Sequence, residues 1–126
     1  MAVMNATREP VRVLVVDDSD DQRNLIRRYF ELAGCDVTVA ESAELAIIAY
    51  QDLELDLAVI DLILPGMSGW DLSDRIRADL PDCAVAITSV LDPHSYPESD
   101  ANLPKPVSRA SVRELLENCI PGWAGR

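Results

Sequence analysis

Short apolar runs alternate along this chain with segments of helical periodicity, and the alternation predicts an α/β fold, a doubly wound parallel sheet with helices on both faces. Three observations carry that prediction. The runs at 11–16, 56–60 and 84–88 are almost wholly apolar and rich in β-branched residues, as expected of strands buried on both faces. The stretches between them repeat apolar residues at three- and four-residue spacing. Glycine or proline punctuates the joins, as at Gly34 and Pro81.

Each element follows in order. Residues 1–10 read as a loose leader, and VRVLVV (11–16) as the first strand. Residues 20–33 form a helix with Leu25, Ile26, Tyr29, Phe30, Leu32 and Ala33 in its stripe, closed by Gly34. CDVTVA (35–40) is a second strand, and Ser42 caps a helix running to about Leu53. DLAVI (56–60) is a third strand that ends in Asp61. LPGMSG (64–69) is turn chemistry ahead of a helix from about Trp70 to Leu80, stopped by Pro81. AVAIT (84–88) is the fourth strand, and the short segment ending in Lys105 is the fifth. A final helix capped by Ser108 places Val112, Leu115, Leu116, Cys119 and Ile120 on one face. The domain therefore spans 11–120, followed by a tail at 121–126.

Composition narrows the function. The 126 residues suffice for one core, and 48% hydrophobic content excludes a disordered chain. Acidic residues outnumber basic ones 22 to 11, a formal net charge of −11. Such a chain does not bind nucleic acid through its general field, which requires Lys and Arg against phosphates. It suits a cation or a basic partner instead. Cys35, Cys83 and Cys119 lack any C-x-x-C spacing, so they read as reduced structural thiols in the cytoplasm. No apolar run approaches the roughly 18 residues of a membrane helix.

Parallel sheets of this kind bind ligands outside the carboxyl ends of their strands. Strand one runs into Asp17 and Asp18, strand three into Asp61, strand four into Thr88, and strand five into Lys105. Three clustered carboxylates repel one another and need a cation. Hard oxygen ligands with room for water favour Mg²⁺, with Mn²⁺ able to replace it. Asp20 and Asp21 have a separate explanation, since at the start of a helix they meet the positive end of its dipole and cap free N–H groups.

This constellation resembles the receiver domain of bacterial two-component response regulators. The resemblance covers residues 11–119 and rests on Asp17-Asp18, DLILPGMSG from Asp61 to Gly69, Thr88, and Lys105-Pro106. It implies a flavodoxin-like (βα)₅ fold with strand order 2-1-3-4-5. Asp61 would be the phosphoacceptor, taking a phosphoryl group from a sensor histidine kinase or phosphotransfer protein and passing the signal to an unidentified output partner. Asp18 would ligate the metal directly and Asp17 largely through water, with Asp61 and the backbone carbonyl of Ile63 completing the set. Lys105 and Thr88 would neutralise the phosphoryl oxygens, and the Lys105-Pro106 peptide would be cis. Apart from its own phosphorylation and dephosphorylation, such a domain catalyses nothing, and it binds neither nucleic acid nor membrane. A haloacid-dehalogenase-type phosphatase also uses a D-x-D pattern, present at Asp18 and Asp20, but that reading leaves Asp61 and its Pro-Gly loop unexplained. A receiver-like interaction module that no longer uses phosphate is the remaining alternative.

The sequence departs from the family between Thr88 and Lys105. The segment SVLDPHSYPESDANLP carries Pro93, Pro97 and Pro104 and no helical stripe, so the fourth helix is expected to be short or missing. Three positions before Lys105 stands Asn102 rather than an aromatic residue. Ile63 and Val90, which flank the phosphoryl position in such domains, are apolar. No DNA-binding helices follow Cys119 in this sequence, which reads as a stand-alone receiver or as a piece of a longer regulator or hybrid kinase.

Overall fold

Residues 10–90 and 99–123 are described by the computed structural model of the protein. Five parallel strands, β1 (Arg12–Val16), β2 (Asp36–Ala40), β3 (Leu57–Asp61), β4 (Ala84–Thr88) and β5 (Ala101–Asn102), form one sheet in the order β2-β1-β3-β4-β5. Four helices accompany them among the described residues: α1 (Asp20–Leu32), α2 (Ala43–Tyr50), α3 (Gly69–Asp79) and α4 (Arg109–Cys119). The order is the one the resemblance implied, and the fold is the flavodoxin-like one.

Alternation along the strands builds two cores. Val13 and Val15 of β1 and Leu57 and Val59 of β3 pack with Ile26 and Phe30 of α1 and Val112, Leu115 and Leu116 of α4. Their neighbours Leu14, Val16, Ala58 and Ile60 face the other way, against Ala43, Ala46 and Tyr50 of α2 and Leu72 and Ile76 of α3. Central strands flanked by helices on both sides must be apolar on both faces, which is why β3 is buried throughout. The chain leaves β1 towards one face and β3 towards the other. The sheet's switch point therefore lies between their carboxyl ends.

Several boundaries differ from those expected. Regular β5 covers only two residues, but Leu103 N donates to Ile87 O (2.7 Å) and Lys105 N to Ser89 O (3.2 Å), so the chain stays beside β4 as far as the lysine. Helix α2 stops at Tyr50, three residues early, where Leu53 N turns back to Tyr50 O and sends Leu53 and Leu55 into the core. Helix α1 is capped by Ser19, whose hydroxyl accepts from Gln22 N, rather than by Asp20 or Asp21, which occupy its first turn. Ser42 and Ser108 cap α2 and α4 as expected, and Gly34 takes the positive φ of a helix stop. The expected leader (apart from Pro10), the last three residues of the tail and the core of the proline-rich segment, 91–98, lie outside the described residues, and with them the expectation about a fourth helix.

Candidate functional site

Asp61 is the last residue of β3, and the ladder pairs it with Thr88, the last of β4. Both are buried. Asp61 Oδ1 accepts from Ile63 N at 3.1 Å, which turns the chain immediately after the strand, and Oδ2 lies 3.2 Å from Lys105 Nζ. Asp17 follows β1, with its N–H still bonded to Ala40 O. Its Oδ1 accepts from Ser19 N (2.9 Å), and its Oδ2 is 2.9 Å from the same Lys105 ammonium. Asp18, by contrast, is exposed. Asp17, Asp18 and Asp61 each offer a carboxylate oxygen, and the three oxygens lie within 4.8 Å of one another.

The electrostatics follow from burial. Desolvation raises the Asp61 carboxyl above its ordinary range and the Asp17 charge adds to this, against the opposing pull of Ile63 N–H and Lys105. Burial works to lower the Lys105 ammonium, but the Asp17 and Asp61 carboxylates outweigh it and hold the group raised. Three carboxylates against one ammonium leave two negative charges, the complement of one divalent ion. The donors are all hard oxygens and one of them is open to solvent, so the residues fit Mg²⁺ or Mn²⁺. Thr88 Oγ1 is buried and makes no hydrogen bond among the described residues, so it holds a spare donor at the same strand ends. The Lys105-Pro106 peptide is cis, as expected.

Sequence reasoning missed two residues that shape the site, Arg23 and Glu44, and did not give the reason for a third, Gly69. Arg23, on α1, donates through Nη1 to the Asp17 carbonyl (2.9 Å) and pairs with Asp20, fixing the backbone between the paired aspartates. Glu44, in the first turn of α2, accepts from Met67 N at 3.0 Å and so holds the loop that follows Asp61. That hydrogen bond keeps the Glu44 carboxyl below its usual range. Gly69 begins α3 directly against β3: a Cβ there would lie 2.3 Å from Asp61 O and 2.6 Å from Leu62 Cα. Gly69 belongs to the loop motif that carries the resemblance, and this close approach is its physical reason; nothing local signals a contact from residue 44 to residue 67. Ile63 and Val90, expected to flank the site, are 55% and 78% exposed. Asn102 lies on the exposed side of β5, where its side-chain oxygen accepts from Ser99 Oγ (3.2 Å).

Residues 13–117 match the family described as the response regulator receiver domain. The Arabidopsis thaliana two-component response regulator ARR6 is 28% identical over 131 residues, covering 89% of this chain and 70% of that protein. A cyclic di-GMP phosphodiesterase of Thermotoga maritima is 36% identical over 80 residues, 64% of this chain, and the match spans only 21% of that protein. Among solved structures, the Vibrio cholerae chemotaxis response regulator CheY4 superposes with a TM-score of 0.81 at 20% identity, over 89% of this chain and 100% of that one, a likeness of fold.

Proposed function

Because this chain belongs to the response regulator receiver domain family, we propose that it is switched by a phosphoryl group carried on Asp61. The observation that supports this most is the convergence of Asp17, Asp18, Asp61 and Lys105 at adjacent strand ends, with the unpaired Thr88 hydroxyl one ladder step away. A carboxylate oxygen of Asp61 attacks the phosphorus of a phosphohistidine on a sensor kinase or phosphotransfer protein. The N–P bond breaks, the imidazole leaves with its electron pair, and an O–P bond forms on Asp61. Burial raises the Asp61 carboxyl, while the Ile63 N–H and Lys105 favour the charged form that attacks. Lys105, already 3.2 Å from Asp61 Oδ2, and the Thr88 hydroxyl then meet charge on the transferred oxygens.

Asp17, Asp18 and Asp61, with the Ile63 carbonyl, would hold magnesium or manganese. Bound there, the ion would offset carboxylate repulsion and charge on the phosphoryl group. The domain turns over no external substrate beyond its own phosphorylation and dephosphorylation. No helix among the described residues is long and apolar enough to cross a membrane, and Cys35, Cys83 and Cys119 are free thiols, which supports a reducing, cytoplasmic setting. Intact-mass measurement after incubation with acetyl phosphate tests the reading. A single phosphoryl adduct is expected on wild type with Mg²⁺, and none with chelator or on Asp61→Asn. An equal adduct on Asp61→Asn moves the nucleophile elsewhere, and no adduct under any condition favours a phosphate-independent interaction module.

A further inference from the structure

Helix α2 reads AELAIIAY, and it is apolar on more than the side it buries. Ala43, Ala46 and Tyr50 face the sheet. Leu45 and Ile48 do not: they are 46% and 69% exposed, and their three-residue spacing puts them on one outward face. An amphipathic surface helix would carry polar residues there. Leu45 also lines a groove with Val39 and Ala40 of the sheet-edge strand β2, so the apolar strip extends beyond the helix.

Charge singles out the same region. Residues 29–74 contain no Lys, Arg or His. Glu41, Asp52 and Glu54 flank α2, Glu44 sits in its first turn, and all four are exposed. The basic residue bordering the groove, Arg23, is already engaged by the Asp17 carbonyl and by Asp20. An apolar strip whose uncommitted charged neighbours are acidic repels a second copy of itself in a two-fold contact, since that would face acid against acid. It complements an amphipathic helix whose apolar anchors are bordered by lysine and arginine.

We infer that the α2 face is a docking surface for a basic amphipathic helix of a partner protein, separate from the carboxylate cluster. The test titrates the full chain into a fluorescein-labelled amphipathic Leu/Lys peptide, with a Leu/Glu peptide of the same pattern as control, at several NaCl concentrations. Wild type is expected to bind only the Leu/Lys peptide, more weakly as salt rises. Leu45→Lys and Ile48→Asp are each expected to weaken binding about tenfold, with melting temperature unchanged. Ile48→Asp makes the surface more acidic, so its loss isolates the apolar anchor from the general field. Asn118→Lys, an exposed change on α4, should shift affinity less than about twofold. Asn118→Lys weakening binding as much as Leu45→Lys, or Ile48→Asp binding as well as wild type, overturns the inference, as does no binding by wild type. A wild-type dimer in sedimentation that Ile48→Asp disperses would overturn it in favour of a second copy.

Discussion

Replacing Gly69 by alanine should damage both stability and phosphorylation, although elsewhere in a helix the same change stabilises. At an unstrained helical position the added methyl contributes up to about 1 kcal/mol. Here the new Cβ would meet three backbone atoms: Asp61 O at 2.3 Å, Leu62 Cα at 2.6 Å and Asp61 C at 3.0 Å. None of these can rotate away as a side chain could. Helix α3 and β3 must therefore separate by something near 1 Å, which strains the core at about 1–3 kcal/mol. The same separation stretches the Gly69 N to Leu62 O bond, now 3.1 Å, at a further cost of about 1 kcal/mol. Less the helical gain, Gly69→Ala should lose about 1–3 kcal/mol in urea unfolding followed by tryptophan fluorescence. Because the clash falls on the peptide of Asp61 itself, phosphorylation by acetyl phosphate should slow by on the order of tenfold or more even where the variant is fully folded. A variant as stable as wild type, or one phosphorylated at the wild-type rate, would refute the reasoning.

Three other changes should separate the contributions of charge, hydrogen bonding and rim chemistry. Lys105→Ala leaves the buried Asp17 and Asp61 carboxylates without their shared cation, and should destabilise the metal-free protein by about 3 kcal/mol, a gap that narrows when magnesium is added; equal unfolding midpoints in chelator would count against it. Tyr50 donates to Asp79 Oδ2 at 2.6 Å, so Tyr50→Phe should cost about 1–2 kcal/mol at neutral pH. Burial first, then the Asp79 carboxylate, push the Tyr50 hydroxyl from 10.0 up to about 12, so folding favours the neutral phenol. That contribution is full below pH 10 and lost as pH rises through about 12, where the two unfolding curves should converge; a constant gap would assign the loss to packing alone. Finally, Ile63 and Val90 offer no hydrogen bond to orient a hydrolytic water, so the phosphorylated wild type should decay more slowly than Ile63→Asn or Val90→Glu, and equal decay rates would sink the idea.

Features that depend on near neighbours were legible in the sequence. The bounds of β4, the caps at Ser42 and Ser108, the stop at Gly34 and the clustering of the three aspartates all follow from periodicity, cap chemistry and strand ends. What escaped depends on distant backbone. Glu44 reaches Met67 only because α2 and the loop after β3 share one side of the sheet. Gly69 itself stood in the loop motif, but the close approach of β3 that demands a glycine there is not located by local pattern. The helix starts at Asp20 as expected, but its cap falls to Ser19, whose hydroxyl takes Gln22 N, with Asp20 and Asp21 in the first turn. The two-residue extent of β5 escaped for a similar reason: its chain continues beside β4 without regular strand geometry.

The pairing of Asp61 with Thr88 makes their separation a property of the sheet, set by the spacing of roughly 4.8 Å between neighbouring strands. Lys105 inherits its place in the same way, since its N–H is tied to Ser89, the residue after Thr88. The connection between β4 and β5 can therefore gain or lose residues without resetting any distance among the three side chains. A chain built like this can trade that stretch for new binding specificities while its chemistry stays constant, whereas a one-residue slip of β3 against β4 would turn Asp61 to the wrong face and abolish the site in one step.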